Sequence, residues 1–357
     1  MPFDSSAFPS RHVRRSTRPV GVWLLVICAM LLVMIALGGA TRLTGSGLSI
    51  MEWAPVSGVL PPLSEREWER LFALYKQIPQ YALVNEGFGL SGFKHIFWLE
   101  WVHRFWGRLL GVAFVVPLVV FAWRGQVSRR LVARLAVIFA LGGLQGAVGW
   151  FMVASGFMPD STAVSPYRLV VHLLLALTVY AAVLWTALDM LETGRPAVPA
   201  SPAVRRLTAL AVVLVALTVV AGGFVAGLKA GLAYNTFPLM DGTLPPPGYL
   251  ALRPAWRNLF ENIPAVQFDH RVLATLTASV CLAAAVAGWR WARGQARRML
   301  LALGAAVVAQ YALGVATLLT VVAPVLATGH QAMAVLVLSA ALAAFHAQRT
   351  PSSKLLP

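Results

Sequence analysis

Four histidines lie within long apolar stretches of this 357-residue chain, at His103, His172, His270 and His330. Burying an imidazole in lipid is costly, so a histidine in a membrane helix usually has a function. Two imidazoles that meet from different helices are typical axial ligands of a heme iron, whereas a zinc site needs further ligands nearby. The pattern predicts two bis-histidine heme sites, one for each consecutive pair. The alternative is four hydrogen-bonded core histidines.

An acidic residue accompanies only one of the two pairs. Glu100 lies three residues before His103, on the same helix face, whereas Gln267 stands three residues before His270. A buried carboxylate can accept a proton and an amide cannot. We therefore expect chemistry at the first pair and a permanent electron-transfer heme at the second. The alternative is that Glu100 only stabilises a helix N-terminus.

An arginine directly follows His103, and another directly follows His270. Arg104 and Arg271 are expected at the outer membrane interface. A guanidinium group there can pair with the propionates of a heme. The sequence thus predicts that both arginines take part in heme binding.

Eight apolar runs around these residues are long enough to cross a bilayer. Hydrophobic residues make up 59% of the chain and charged residues only 12%. A backbone in hydrocarbon must satisfy its own hydrogen bonds, which a helix does. The predicted fold is therefore an all-α integral membrane protein. The predicted transmembrane helices are Val20–Ala40, Phe105–Trp123, Leu135–Ala154, Leu169–Leu188, Leu207–Leu228, Val272–Trp289, Met299–Ala323 and Leu326–Ala347.

The eight spans form two tandem repeats. GGATRLTGSGLSIMEWAPVSGVLPP after the first span matches GGFVAGLKAGLAYNTFPLMDGTLPP after the fifth, and EWVHR matches QFDHR. A Gln-x-x-x-Gly element recurs at Gln145–Gly149 and Gln310–Gly314. Both repeats run in the same direction, which disfavours inverted-repeat transporters. We predict two pseudo-symmetric four-helix bundles, 20–190 and 207–348, joined by a linker at 191–206.

The distribution of basic residues predicts the orientation in the membrane. Arginine concentrates in the N-terminal segment and in the short loops after the even-numbered spans. Basic residues in short loops face the cytoplasm. We expect cytoplasmic tails at 1–19 and 349–357, solvated His12 and His346, and heme sites towards the periplasmic side of a bacterial inner membrane. The net charge of +16 then reflects topology rather than nucleic-acid binding.

The first long outer loop contains a predicted amphipathic helix. Ser64 and Glu67 have the spacing of a capping box. One helix face then carries Trp68, Leu71, Phe72 and Tyr75. Trp and Tyr on that face suit the level of the lipid headgroups. We expect a lid on the outer surface of the first bundle; the alternative is a helix packed for stability alone. No role is assigned to the nearby His95.

These motifs resemble the heme A synthase family, in its proteobacterial and mitochondrial branch. The likeness rests on EWVHR, QFDHR, GGATRLTGSGLS and PLSEREWERLFALYKQIPQY, and it extends over about 20–346. It implies an oxidoreductase that converts the C8 methyl group of heme O to the formyl group of heme A for cytochrome oxidase, with water as the oxygen source. Some members have a cysteine pair in the first outer loop. This chain has none there, and Cys28 and Cys281 are expected to be unpaired core residues.

The resemblance also implies roles for individual residues. His270 and His330 would ligate a structural heme b. His103 and His172 would frame the iron of the heme O substrate, with Glu100 as the catalytic carboxylate. It leaves open, as partners, the farnesyltransferase that makes heme O, an unidentified electron acceptor and a second copy of the chain.

Three other classes of protein stay open on the sequence alone. A transmembrane diheme b-type electron-transfer protein needs ligands near both membrane faces, whereas all four histidines are predicted near the outer one. In a heme carrier, Glu100 would be incidental. A proton-coupled transporter would leave four histidines at matched depth unexplained.

Overall fold

The computed structural model describes residues 17–55, 57–159, 161–191 and 201–349. Eight helices among them are long and apolar enough to cross a membrane, which confirms the all-α membrane fold. The helices in chain order are α1 (Arg18–Leu43), α2 (Glu65–Tyr75), α3 (Pro79–Val84), α4 (Leu90–Trp123), α5 (Arg129–Ala154), α6 (Pro166–Leu191), α7 (Pro202–Gly227), α8 (Asn258–Glu261), α9 (Ile263–Trp291), α10 (Gly294–Leu319) and α11 (Pro324–His346). His12, most of both predicted tails and most of the predicted linker lie outside the described residues.

The long helices contact one another in two rings of four. One ring comprises α1, α4, α5 and α6, and the other comprises α7, α9, α10 and α11. The rings join where α1 packs on α11 and where α6 packs on α7 and α11. This arrangement is compatible with two tandem four-helix bundles.

All eight long helices begin before the predicted spans, α4 and α9 by the most. α4 starts at Leu90 and α9 at Ile263, so EWVHR and QFDHR lie inside helices rather than at their starts. α4 has 34 residues, about 51 Å at 1.5 Å per residue, and it exceeds a hydrocarbon core of about 30 Å. Its first turns are helical because their apolar residues find a partner outside the bundle. The interpretation of Glu100 as a helix N-terminal charge is therefore wrong.

The partner of these first turns is α2, the predicted amphipathic helix. The Ser64 hydroxyl accepts a hydrogen bond from the Glu67 amide at 3.3 Å, which confirms this half of the predicted capping box, whereas the Glu67 carboxylate binds Arg70. The aromatic face of α2 packs against Phe93 and Phe97 of α4. Tyr75 is fully buried there. The sequence suggested that this face lies among lipid headgroups, but it packs inside the protein instead. It belongs to a small aromatic core above the first bundle.

The two rings are also joined by an ionic cluster at the end opposite the long loops. His346 was expected to be solvated, but it is only 5% exposed, and that expectation is wrong. Its Nε2 lies 2.8 Å from Oδ1 of Asp189 on α6, and Arg134 of α5 donates to the other carboxylate oxygen at 3.1 Å. Burial of this histidine is tolerable because a carboxylate far away in the sequence pairs with it. Local sequence does not reveal such a partner. Cys28 and Cys281 are buried and free, as predicted.

Replacing Phe93 with alanine should loosen α2 from α4. Phe93 is fully buried and its ring contacts those of Trp68, Phe72 and Tyr75. Loss of a buried phenylalanine ring typically costs about 3–5 kcal/mol. Trypsin should therefore cut the purified variant within 66–76 at least tenfold faster than the parent. Phe88→Ala, at a half-exposed position, is the control, and equal rates for all three proteins would contradict this packing role.

Candidate functional site

Each of the four predicted ligand histidines lies directly against a glycine of a neighbouring helix. A Cβ atom added to any of these glycines would stand 2.8–3.1 Å from the histidine Cε1 atom. Atoms that close must shift, so glycine is what allows ring and backbone to meet. The pairs are His103 with Gly38, His172 with Gly149, His270 with Gly222, and His330 with Gly314.

The members of each predicted pair lie on helices of the same ring. His103 is on α4 and His172 on α6 of the first ring, and His270 is on α9 and His330 on α11 of the second. That the rings of each pair face one another across a heme stays a prediction. The Nδ1 atoms of all four rings are buried and lack a hydrogen-bond partner among the described residues. A buried nitrogen in this state is costly unless another group binds the ring.

The repeated Gln-x-x-x-Gly element places a glutamine beside one histidine of each pair. The Gln145 side-chain nitrogen lies 3.4 Å from His172 Nε2 and donates to the His172 carbonyl oxygen at 3.0 Å. In the second ring, the Gln310 nitrogen lies 3.5 Å from His330 Nε2. Gln and Gly of the element are four residues apart, so both face the same histidine. The repeat was visible in the sequence, but its contact with the histidine was not.

Glu100 is buried in a cage of hydrogen-bond donors. Its side chain is 3% exposed. One carboxylate oxygen accepts from the Ser49 amide and hydroxyl, both at 2.8 Å, and from the Ile50 amide at 2.9 Å. The other accepts from Arg104 at 2.6 and 3.1 Å. Five donors around one carboxylate stabilise a buried negative charge and fix the loop that follows α1 over α4.

Gln267 takes the corresponding position in the second ring, but there the side chain donates to the loop instead of accepting from it. It is 2% exposed, and its amide nitrogen donates to the carbonyl oxygens of Ala230 and Ala233 at 3.0 and 2.6 Å. Ala233 occupies the position that Ser49 has in the repeat. The first loop thus presents donors to a carboxylate, and the second presents acceptors to an amide. The backbone around each side chain therefore supplies the partners it needs, which are donors for Glu100 and acceptors for Gln267.

The two arginines next to the histidines bind the loops. Arg104 donates to the carbonyl oxygens of Glu52 and Ile50 at 2.9 and 2.8 Å. Arg271 donates to those of Thr236 and Tyr234 at 2.9 and 2.6 Å. Their pairing with heme propionates stays a prediction, since these guanidinium groups already hold the loop backbones. The Nε atom of Arg271 is buried without a partner among the described residues and is free to donate to a ligand.

The first loop is further tied to α2 by an exposed ion pair. Arg70 donates to both carboxylate oxygens of Glu52 at 2.8 Å and also binds Glu67. These hydrogen bonds hold the pKa of the Glu52 and Glu67 carboxyl groups below its usual range. The second loop contains no equivalent of α2. The loop that covers Glu100 is therefore held by three arginines from two helices: Arg70 of α2, and Arg104 and Arg108 of α4.

Paired imidazoles with orphaned nitrogens, in an apolar helix bundle, fit axial ligation of a heme iron. The fold is that of a polytopic membrane protein with two rings of four helices, each carrying two of these histidines, and with Glu100 in the first ring where Gln267 stands in the second. A family model described as cytochrome oxidase assembly protein matches residues 21–342, and the chain belongs to that family.

Several curated proteins are similar over almost their whole length. The heme A synthase of Granulibacter bethesdensis is 61% identical, covering 97% of this chain and 94% of that protein. The heme A synthase of Rhodospirillum centenum is 49% identical, covering 98% and 94%. Heme A synthase 2 of Acidiphilium cryptum is 48% identical, covering 92% and 90%.

Gln267→Glu should destabilise the protein by about 1–3 kcal/mol, because a carboxylate would face two carbonyl oxygens and leave both without a donor. The measurement is the thermal unfolding midpoint of the purified protein in detergent. Gln267→Met removes the same two bonds without adding a charge, and it should be less destabilising. A Gln267→Glu protein as stable as the parent would disprove the acceptor arrangement.

Proposed function

We propose that this protein is a heme A synthase, which oxidises the C8 methyl group of heme O to a formyl group. The family match and the names of its relatives support this function. The observation that carries it is the carboxylate beside only one of two otherwise matched histidine pairs. Two identical electron-transfer sites would not need that difference, whereas one reactive site and one redox site do.

The second half is the proposed site of a bound heme b. His270 and His330 would be its axial ligands, with Gly222 and Gly314 allowing both rings to lie close to the helix backbones. When bound, heme b supplies one-electron redox chemistry. Gln310 would orient the His330 ring. The electron acceptor beyond it is unidentified, and the farnesyltransferase that makes heme O is a partner by pathway logic only.

The first half is the proposed site of the substrate. His103 and His172 would frame the heme O iron, and Glu100 would lie at the same level. Each hydroxylation replaces a methyl hydrogen with a hydroxyl group from water and releases two protons and two electrons. Two rounds yield a hydrated aldehyde, which loses water to become the formyl group. The oxygen therefore comes from water, and the site must accept protons.

Glu100 is the proposed proton acceptor. It must release one of its five donors before it can be protonated. Ser49 is suited to this exchange, because a hydroxyl group can rotate and accept where it previously donated. The two backbone amides and Arg104 cannot do so. Arg104 would keep the carboxylate in position and, with Arg271, would present remaining N–H groups to heme propionates.

The proposed setting is a bacterial inner membrane with both termini in the cytoplasm. The support is the arginine bias of the N-terminal segment and of the short loops. In this orientation the loops over Glu100 and Gln267, and both heme sites, lie towards the periplasm.

Glu100→Gln should abolish heme A formation while leaving heme b bound. The amide cannot accept the proton, and the second half is untouched. Hemes extracted from cells that also make heme O should contain less than a tenth of the parental heme A. Glu67→Gln, which changes an exposed carboxylate on α2, should give normal yield. Normal heme A formation by the Glu100→Gln variant would refute the assignment.

The histidine pairs should separate by heme type. His330→Ala should lose heme b, because one axial ligand is missing, whereas His172→Ala should keep heme b and lose bound heme O. Pyridine hemochrome spectra and chromatography of the extracted hemes give both contents per chain. His95→Ala, at an exposed position of α4, is the control. The same heme loss in both variants, or in neither, would contradict the division between halves.

A further inference from the structure

Next to the first histidine pair, one face of α5 carries glycines in place of larger side chains. Gly142, Gly146 and Gly149 follow one another at i, i+4 and i+7 and share this face. Gly149 backs the His172 ring, but a Cβ added at Gly142 or Gly146 would meet nothing within 4 Å. The same is true of Gly111 on α4. The space beside the histidine site is therefore open along α5.

The matching face of α10 in the second half is filled. Gly146 directly follows Gln145, and Tyr311 directly follows Gln310. The Tyr311 hydroxyl lies 2.9 Å from the Thr275 hydroxyl of α9, and its ring contacts that of Phe237 at 6.4 Å between centroids. The position of Gly142 is taken by buried Val307. The second half thus has an aromatic ring where the first has an exposed glycine.

The opposing helix differs in the same way. Thr275 stands five residues after His270, and Arg108 stands five residues after His103. Arg108 turns away from α5 and donates to the carbonyl oxygens of Ala54 and Pro55 at 2.7 and 2.9 Å. α4 also packs less extensively on α5 than α9 does on α10. The first half therefore lacks the side-chain bridge that closes the second.

We propose that the open face of α5 at Gly142 and Gly146 receives the isoprenoid chain of heme O, and that Tyr311 excludes this chain from the second half. This inference rests on the function proposed above. Heme O carries a long apolar chain that heme b lacks, so the two sites must differ in room for it. The face from Gly149 to Gly142 spans about 10 Å at 1.5 Å per residue and starts at the histidine that faces the porphyrin.

Two further observations favour a heme substituent over a membrane lipid. The open face is continuous with the His172 site through Gly149. A general lipid groove would give no reason for Tyr311 at the matching position.

The first test is Gly146→Tyr in the full-length protein, expressed with a heme O source. The new ring should occupy the chain-binding space, so heme O and heme A per chain should fall at least tenfold while heme b stays at the parental level. Chromatography of extracted hemes measures all three. Leu144→Tyr adds the same ring at a half-exposed position of the same helix and should change nothing. Heme O content equal to the parent would overturn the proposal.

The reverse substitution keeps the proposal testable if Gly146→Tyr fails to fold. In a His172→Ala background, Tyr311→Gly should admit heme O to the second half and raise its content at least tenfold over His172→Ala alone. Continued exclusion of heme O would overturn the role of Tyr311. Co-purifying lipid displaced by Gly146→Tyr, with heme O unchanged, would identify a lipid site instead and also overturn the proposal. A parent that binds heme O independently of His172 would refute the proposed function itself.

Discussion

The arrangement of this protein depends on one steric constraint, which is that an imidazole ring must lie against the backbone of the next helix. A glycine at each of four positions removes the Cβ atom that would otherwise keep ring and helix apart. The close approach determines how far α4 stands from α1 and how far α6 stands from α5, and it does the same for the equivalent helices of the second ring. These distances also set the positions of the helices that carry the two histidines of each proposed pair. Replacement of any of the four glycines would therefore displace a proposed heme ligand and not only disturb packing.

The two halves differ through their loops as much as through their side chains. The loop after α1 turns amide hydrogens and a hydroxyl group towards Glu100. The loop after α7 turns carbonyl oxygens towards Gln267, and it does so with Lys229 and Tyr234 in the left-handed region of backbone conformation. A duplicated unit that exchanges one ionisable residue must also change the polarity of the backbone around it, because a buried polar group without a partner is destabilising. The side chain and the loop geometry thus differ together between the two halves.

Much of this could be predicted from the sequence because membrane helices are specified by composition and repeats by self-similarity. The eight spans and the Ser64 cap required only local pattern. The early start of α4 was missed because its first turns are stabilised by α2, a separate helix of the preceding loop. His346 was misjudged because its partner, Asp189, lies on another helix. The Gln-x-x-x-Gly elements were recognised as repeats, but a contact with a histidine is a property of the folded bundle. Long-range partners are what local pattern does not contain.

The cage around Glu100 constrains how a large ligand reaches the first bundle. Lifting the loop after α1 would strip three donors from a buried carboxylate and break the contacts of Arg104 and Arg108 with that loop, at a cost of several kcal/mol. The loop after α1 is therefore poorly suited to open for the substrate of the proposed function. A flat, apolar molecule the size of a porphyrin would instead pass sideways between helices from the lipid phase. The product would return to the bilayer by the same route.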